Sequence, residues 1–344
     1  MLLCRWPRVP APVTPDRCST LPRVRSLRQS RLRRSWLRRS WLRPSRQTQQ
    51  RVPHQPVRAA LVVLGVLLLA GAGPRLQAQK IRRDVEYAQV AEHSLKLDLF
   101  VPAATKPVPL VIWVHGGAWR AGSKNRVPVK GLLDHGLAIA SVDYRLSPVA
   151  RFPAQIHDIK AAIRFLRAHS TQYGVDPEHF FVAGASAGGH LAALVGVSND
   201  HVQLEGQVGD YPEASSRVQK AVSFYGASNL ESILQQSTPF GLGVRGPALN
   251  LLLGEESAAR TTLAQLASPV RHVDASDPPL LLIHGDQDPQ MPINQAHELH
   301  GKYKQLHLPV HFEVIHGGAH GGASFYDDTK IRQVAEFLKH GQWK

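Results

Sequence analysis

The sequence predicts an α/β fold: one doubly wound, mostly parallel sheet with helices on both faces. Strand-like and helix-like segments alternate from residue 81 to the end of the chain. Several strand candidates are unbroken apolar runs, as expected of strands covered on both sides. A composition of 43% hydrophobic and 19% charged residues supplies enough apolar material for a large core.

The elements follow in order. Residues 95–101 alternate as Leu-Lys-Leu-Asp-Leu-Phe-Val, a half-exposed strand that pairs with 85–90. Residues 110–114 are continuously apolar and end in His115-Gly116-Gly117, which reads as a buried parallel strand, and 137–142 is another. Ile156, Ile159, Ile163 and Leu166 lay a helical stripe along 155–169. Residues 180–183 form a short strand entering Gly184, and the Ala- and Leu-rich segment 187–197 forms a helix. Strands at 218–225, 280–284 and 310–315 and helices at 292–306 and 325–339 complete the alternation. Residues 228–272 break the rhythm with Pro, Gly, Gln and Leu and read as a short helical, lid-like insertion over the active-site edge of the sheet. Residues 79–344 are expected to form a single domain.

The formal charge of +15 suggests a nucleic-acid binder until it is located. Residues 1–83 hold 19 basic residues against one acid, a surplus of +18, whereas 84–344 hold 22 against 25, or −3. A basic functional surface across the fold is therefore excluded. Both cysteines, Cys4 and Cys18, lie in the basic segment, so the rest of the chain has no disulfide framework, thiolate metal site or Cys nucleophile. Residues 1–58 are rich in Arg, Ser and Pro and read as a basic tail, an Arg-rich transit segment or translated upstream sequence. Residues 59–70 are a charge-free apolar run of 12 residues, too short for a comfortable membrane span. With the small residues up to Ala78 they have the layout of an export signal, cut after Ala78. The expectation is export to the periplasm or the outside.

Gly184-Ala185-Ser186-Ala187-Gly188 sits between a predicted strand and a predicted helix, the context of a nucleophile elbow. A serine hydroxyl is a poor nucleophile and must project from a sharp turn, where a base and a substrate can both reach it. Tiny neighbours permit that turn. Upstream, His115-Gly116-Gly117-Ala118-Trp119 ends a strand. Glycines there let backbone N–H groups face a developing oxyanion, and the candidate donors are Gly117 with Gly116 or Ala118, and Ala187. An orienting acid and a base must follow. His284-Gly285-Asp286-Gln287-Asp288 offers two aspartates, and His316-Gly317-Gly318-Ala319-His320 offers two histidines, of which His320 is the better placed.

These motifs, with Asp143-Tyr144-Arg145-Leu146 and His190, occur in an order similar to the esterase/lipase branch of the α/β-hydrolases. The chain most resembles the carboxylesterases grouped with bacterial feruloyl and acetylxylan esterases, the BD-FAE-like family, over about residues 85–340. The resemblance implies a catalytic triad of Ser186, Asp288 and His320. It implies a serine esterase acting by acyl transfer without cofactor or metal on a small ester or an acylated saccharide. The family's third glycine of His-Gly-Gly-Gly is Ala118 here, which still has an N–H, and its Val-Pro after the acid is Met291-Pro292. Same-fold alternatives are an amidase, an arylformamidase or an aminopeptidase. A non-catalytic binding protein on this fold would lack a triad member.

Other residues have plainer readings. His115 orients the oxyanion loop through a backbone hydrogen bond, and His190 packs or caps. Asp143 to Arg145 form a structural ion-pair and hydrogen-bond cluster, and Asp286 stabilises its loop. Trp119 is a candidate for lining the substrate pocket, or equally for covering the core. His311, His316 and His320 are spread over a strand and a Gly loop, a poor metal spacing.

Overall fold

The computed structural model describes residues 79–343, and the basic segment 1–58 and the export-signal segment 59–78 lie outside the described residues. Eight strands form one sheet: β1 (Lys80–Val90), β2 (His93–Val101), β3 (Val108–Val114), β4 (Ala138–Val142), β5 (Val175–Ala185), β6 (Lys220–Phe224), β7 (Leu280–Gly285) and β8 (Val310–Ile315). Their order is β1-β2-β4-β3-β5-β6-β7-β8, with β1 and β2 antiparallel and all strands from β4 to β8 parallel. The helices are α1 (Ala154–Ala168), α2 (Ser170–Tyr173), α3 (Ala187–Gly196), α4 (Val202–Glu205), α5 (Ile233–Gln236), α6 (Pro239–Leu253), α7 (Ala258–Leu266), α8 (Asn294–Gln305) and α9 (Asp328–His340). Among the described residues no helix is long and apolar enough to cross a membrane.

The unbroken apolar strands are explained by two cores. Leu110, Ile112 and Val114 of β3 pack on one face with Ile156, Ile159 and Ile163 of α1 and Leu191 and Leu194 of α3. Val111 and Trp113 pack on the other with Ile331, Val334 and Leu338 of α9. The two faces need different helices. α9 is amphipathic, begins at the Asp327 cap, whose side chain accepts from Lys330 N–H, and ends at Gly341 in the left-handed conformation. α3 is buried all round and carries no charged side chain.

Three local features depart from the sequence reading. β5 starts at Val175, five residues before the expected strand, because Val175 pairs with Val108 despite its polar followers. A 3-10 turn at Lys130–His135, without helical periodicity, was not anticipated. The expected short helices of 228–272 include α6, 15 residues long with Pro247 inside it. Tertiary burial overrides its poor propensity: Ala248, Leu249, Leu252 and Leu253 join the main core, while Phe240 and Leu242 near its start are exposed.

Candidate active site

Strand register brings the motif loops together. Val114 lies beside Gly184, Ala185 beside Phe224, Phe224 beside Ile283, and Gly285 beside Ile315, so the loops after β3, β5, β7 and β8 leave one edge of the sheet. Ser186 occupies the β5–α3 turn at φ 55° and ψ −118°, a conformation that side chains rarely adopt. Its N–H donates to Phe224 O at 2.9 Å, which holds the turn. The turn needs Gly188, because a Cβ there would come within 2.1 Å of Val114 O.

The Ser186 hydroxyl donates to His320 Nε2 at 2.8 Å, and His320 Nδ1 donates to Asp288 Oδ2 at 2.6 Å. The other carboxylate oxygen, Oδ1, accepts from the N–H groups of Gln290 and Met291 at 2.8 and 2.9 Å. Burial opposes ionisation of Asp288, but the hydrogen bonds from His284, His320 and Met291 outweigh it and hold the carboxyl well below its usual range. His284 Nε2 donates to Met291 O at 3.0 Å, which locks the acid loop to β7. The aromatic ring of Tyr225 meets the His320 ring edge-on at 4.8 Å. Asp288, rather than Asp286, therefore meets His320. Asp286 pairs with the exposed His316 at 3.0 Å and accepts from Gly317 N–H. His311 packs against Phe337, apart from the other two histidines of its segment.

The loop after β3 has three consecutive positive φ values: 119° at Gly117, 53° at Ala118 and 58° at Trp119. The N–H groups of Gly117 and Ala118 enter no hydrogen bond among the described residues, and Gly116, Gly117 and Ala118 line the cavity beside Ser186. Ala187 begins α3 immediately after Ser186 and is fully buried, so any contribution to an oxyanion comes from its backbone N–H. Arg120 and Ala121 N–H groups donate to Gly117 O, His115 Nδ1 donates to Gly116 O at 2.8 Å, and Tyr144 Oη donates to His115 O at 3.0 Å. The Asp143–Arg145 cluster is structural: Lys124 N–H donates to Asp143, and Arg145 grips Asp158 with two nitrogens.

Trp119 does not line the cavity. The left-handed run turns its indole inward, where it is fully buried and donates from Nε1 to His190 Nδ1 at 3.1 Å. His190 Nε2 in turn donates to Ala267 O at 2.6 Å. Burial lowers the His190 pKa to about 4, so the ring is neutral at physiological pH and can serve as acceptor and donor at once. This chain of bonds ties the oxyanion loop, the nucleophile helix and the helical insertion together. The motifs name Trp119 and His190 but not Ala267, and the direction in which Trp119 points is set by backbone conformation.

The site opens into a cavity of about 570 Å³. One wall is aromatic: Trp113, Tyr225 and Tyr326, with Tyr225 and Tyr326 sharing a 2.6 Å hydrogen bond between their hydroxyls. Arg120 and Arg126 from the loop after β3, and Val244 and Arg245 from α6, close the rest. Sequence reasoning did not single out these residues, since they reach the cavity only through tertiary placement. Among the described residues no group of three or more His, Cys, Asp or Glu side chains is arranged as a metal site.

A family model described as BD-FAE matches residues 97–303. The chain is 31% identical over 207 residues to the probable carboxylic ester hydrolase LipM of Mycobacterium tuberculosis, covering 59% of this chain and 46% of that protein. It is 32% identical over 222 residues to Esterase LipC of the same organism, covering 63% and 54%. The chain thus spans about half the length of these curated relatives. Among solved structures it is similar to a truncated form of a carbohydrate esterase from gut microbiota, with a TM-score of 0.67 and 29% identity over 78% of this chain and 97% of that one. The fold is that of these esterases, an α/β-hydrolase.

Proposed function

From the premise that the chain belongs to the BD-FAE family, we propose that it is a serine carboxylester hydrolase cleaving short acyl or aryl esters. The observation that carries this reading is the relay from Ser186 through His320 to Asp288, hydrogen-bonded at 2.8 and 2.6 Å beside a cavity large enough for a small ester. Ser186 Oγ attacks the ester carbonyl carbon while His320 Nε2 takes its proton. The carbonyl oxygen gains charge against the N–H groups of Gly117, Ala118 and Ala187. His320 then gives the proton to the departing alkoxide, and water repeats the sequence on the acyl-enzyme. Asp288 keeps the His320 proton on Nδ1 and so leaves Nε2 free as the base. The likeness to a carbohydrate esterase and the aromatic wall, a surface on which sugars and aryl rings stack, support acetyl or feruloyl esters of plant polysaccharide as substrates. Residues 59–78 support export as part of the same proposal.

The test is hydrolysis of p-nitrophenyl acetate by the full chain beside Ser186→Ala. Activity lost in the folded variant is the expected result. A folded wild type that neither turns over the ester nor is labelled at Ser186 by an organophosphate would overturn the reading.

A further inference from the structure

Three arginines line the cavity and no aspartate or glutamate does. Elsewhere in the domain arginines commonly stand against an acid, as Arg145 does with Asp158, Arg164 with Glu205 and Arg271 with Glu231. Arg120, Arg126 and Arg245 have no carboxylate within ion-pair distance among the described residues. Arg245 is the informative one. It is 1% exposed, its Nε donates to Gln290 O at 3.0 Å, and its buried Nη2 has no hydrogen-bond partner. Guanidinium remains charged at neutral pH, and burying it with donors unmatched is costly. A cation kept in that condition on the wall of a substrate cavity is explained if the missing acceptor arrives with the substrate.

We propose that the ester accepted by this site carries a carboxylate, on its acyl or its alcohol half, and that Arg245 is the residue that recognises it, with Arg126 and Arg120 supplying positive field at the mouth. The proposal rests on the esterase reading above and adds the charge of the substrate. Planar guanidinium pairs with carboxylate through two parallel N–H···O bonds, which suits a residue whose outer nitrogens are unengaged. The near-neutral fold makes the local surplus meaningful: the cavity lining carries three arginines and no acid, whereas residues 84–344 sum to −3.

A competing role is visible in the same contacts. Gln290 accepts from Arg245 at its carbonyl and donates to Asp288 from its N–H, so Arg245 could act only by holding the acid loop. The two roles differ in what they do to anionic and neutral esters. The full chain, Arg245→Gln and Arg126→Gln are assayed for kcat/KM on two matched pairs. One is 4-nitrophenyl hydrogen adipate against 4-nitrophenyl methyl adipate, which places the charge on the acyl side. The other is 4-acetoxybenzoate against its methyl ester, which places it on the alcohol side. The intrinsic reactivity of each ester cancels when the anionic-to-neutral ratio is compared between proteins.

On one pair the wild-type ratio should exceed that of Arg245→Gln by about tenfold or more, because a hydrogen bond to a charged group is worth at least about a decade in binding. Arg126→Gln should lower the same ratio by a smaller factor. A merely structural role for Arg245 lowers all four esters together and leaves both ratios unchanged, which overturns the proposal. If Arg245→Gln does not fold, the exposed Arg126 and Arg120 variants decide, and unchanged ratios in both again overturn it. Neutral esters turned over with unshifted ratios sink this inference alone, whereas no turnover of any ester by folded wild type sinks the esterase reading with it.

Discussion

Replacing Asp288 by asparagine should remove most of the activity while leaving the fold intact, and the contacts say why. Oδ1 accepts from two backbone N–H groups, those of Gln290 and Met291. The introduced amide must keep its oxygen there, since its NH2 group cannot accept. The NH2 group then takes the place of Oδ2, facing His320 Nδ1, which now lies 2.6 Å from the carboxylate. Two donors cannot face each other, so the imidazole shifts its proton to Nε2, the nitrogen that must receive the proton of Ser186. Loss of the base in this way costs about 10³–10⁴ in kcat, or about 4–5.5 kcal/mol in the barrier. Because both Oδ1 bonds persist, the fold should survive, with a loss of about 1.5–3 kcal/mol in unfolding free energy from the charge-assisted bond given up at Oδ2. The assay is steady-state hydrolysis of p-nitrophenyl acetate alongside urea unfolding, with Asp286→Asn as the comparison. Asp286 sits at the exposed His316 and should matter by less than about tenfold. A folded Asp288→Asn enzyme retaining more than about a tenth of wild-type kcat would refute the tautomer argument.

Further outcomes follow from packing and charge. Gly188→Ala drives a Cβ to 2.1 Å from Val114 O, so the elbow must open; a stability loss of about 3 kcal/mol or more in denaturant melts is expected, and a wild-type melt would contradict the close approach. His190 binds its proton in the folded state only below about pH 4, whereas an unfolded histidine does so below about 6.5. The unfolded chain therefore holds more protons between those values, and stability falls as the pH drops from about 6.5 to 4, with His190 contributing about 3 kcal/mol. Urea melts at both ends of that window should show the loss, and His190→Asn should flatten it; equal slopes in the two proteins would count against a neutral buried ring. Asp288, held below its usual range, adds stability above the unfolded carboxylate range that is lost as acid takes the pH down through its folded value.

Much of the architecture could be read because both faces of the sheet are covered. Runs such as Leu110–Val114 have no polar alternation, and a short apolar run between a Pro-containing lead-in and Gly116-Gly117 fits a buried parallel strand. Ser186 and His320 were readable because each follows a strand among small neighbours, whereas the residues alone left Asp286 and Asp288 open and only the family resemblance chose Asp288. The direction of Trp119 was not, since three successive positive φ values invert the side-chain pattern that a strand extension would give. Helix α6 was hidden by its Gly and Pro content, because its order comes from Leu249 and Leu252 in the core rather than from propensity. Arg245 was hidden for the same reason: its position on the cavity is a property of where α6 lands.

The backbone of Gln290 is used at both its N–H and its carbonyl. Its N–H steadies the acid of the relay, and its carbonyl receives Arg245 from the insertion. A replacement at 245 is thus felt at Asp288, whatever it does for the ligand. The side chains of Arg120 and Arg126 reach the same cavity from a different loop and bond to no member of the relay. Changes of ester preference have an open path through the exposed Arg120 and Arg126 and an obstructed one through Arg245. Library design aimed at new substrates should begin with the former and hold the latter fixed.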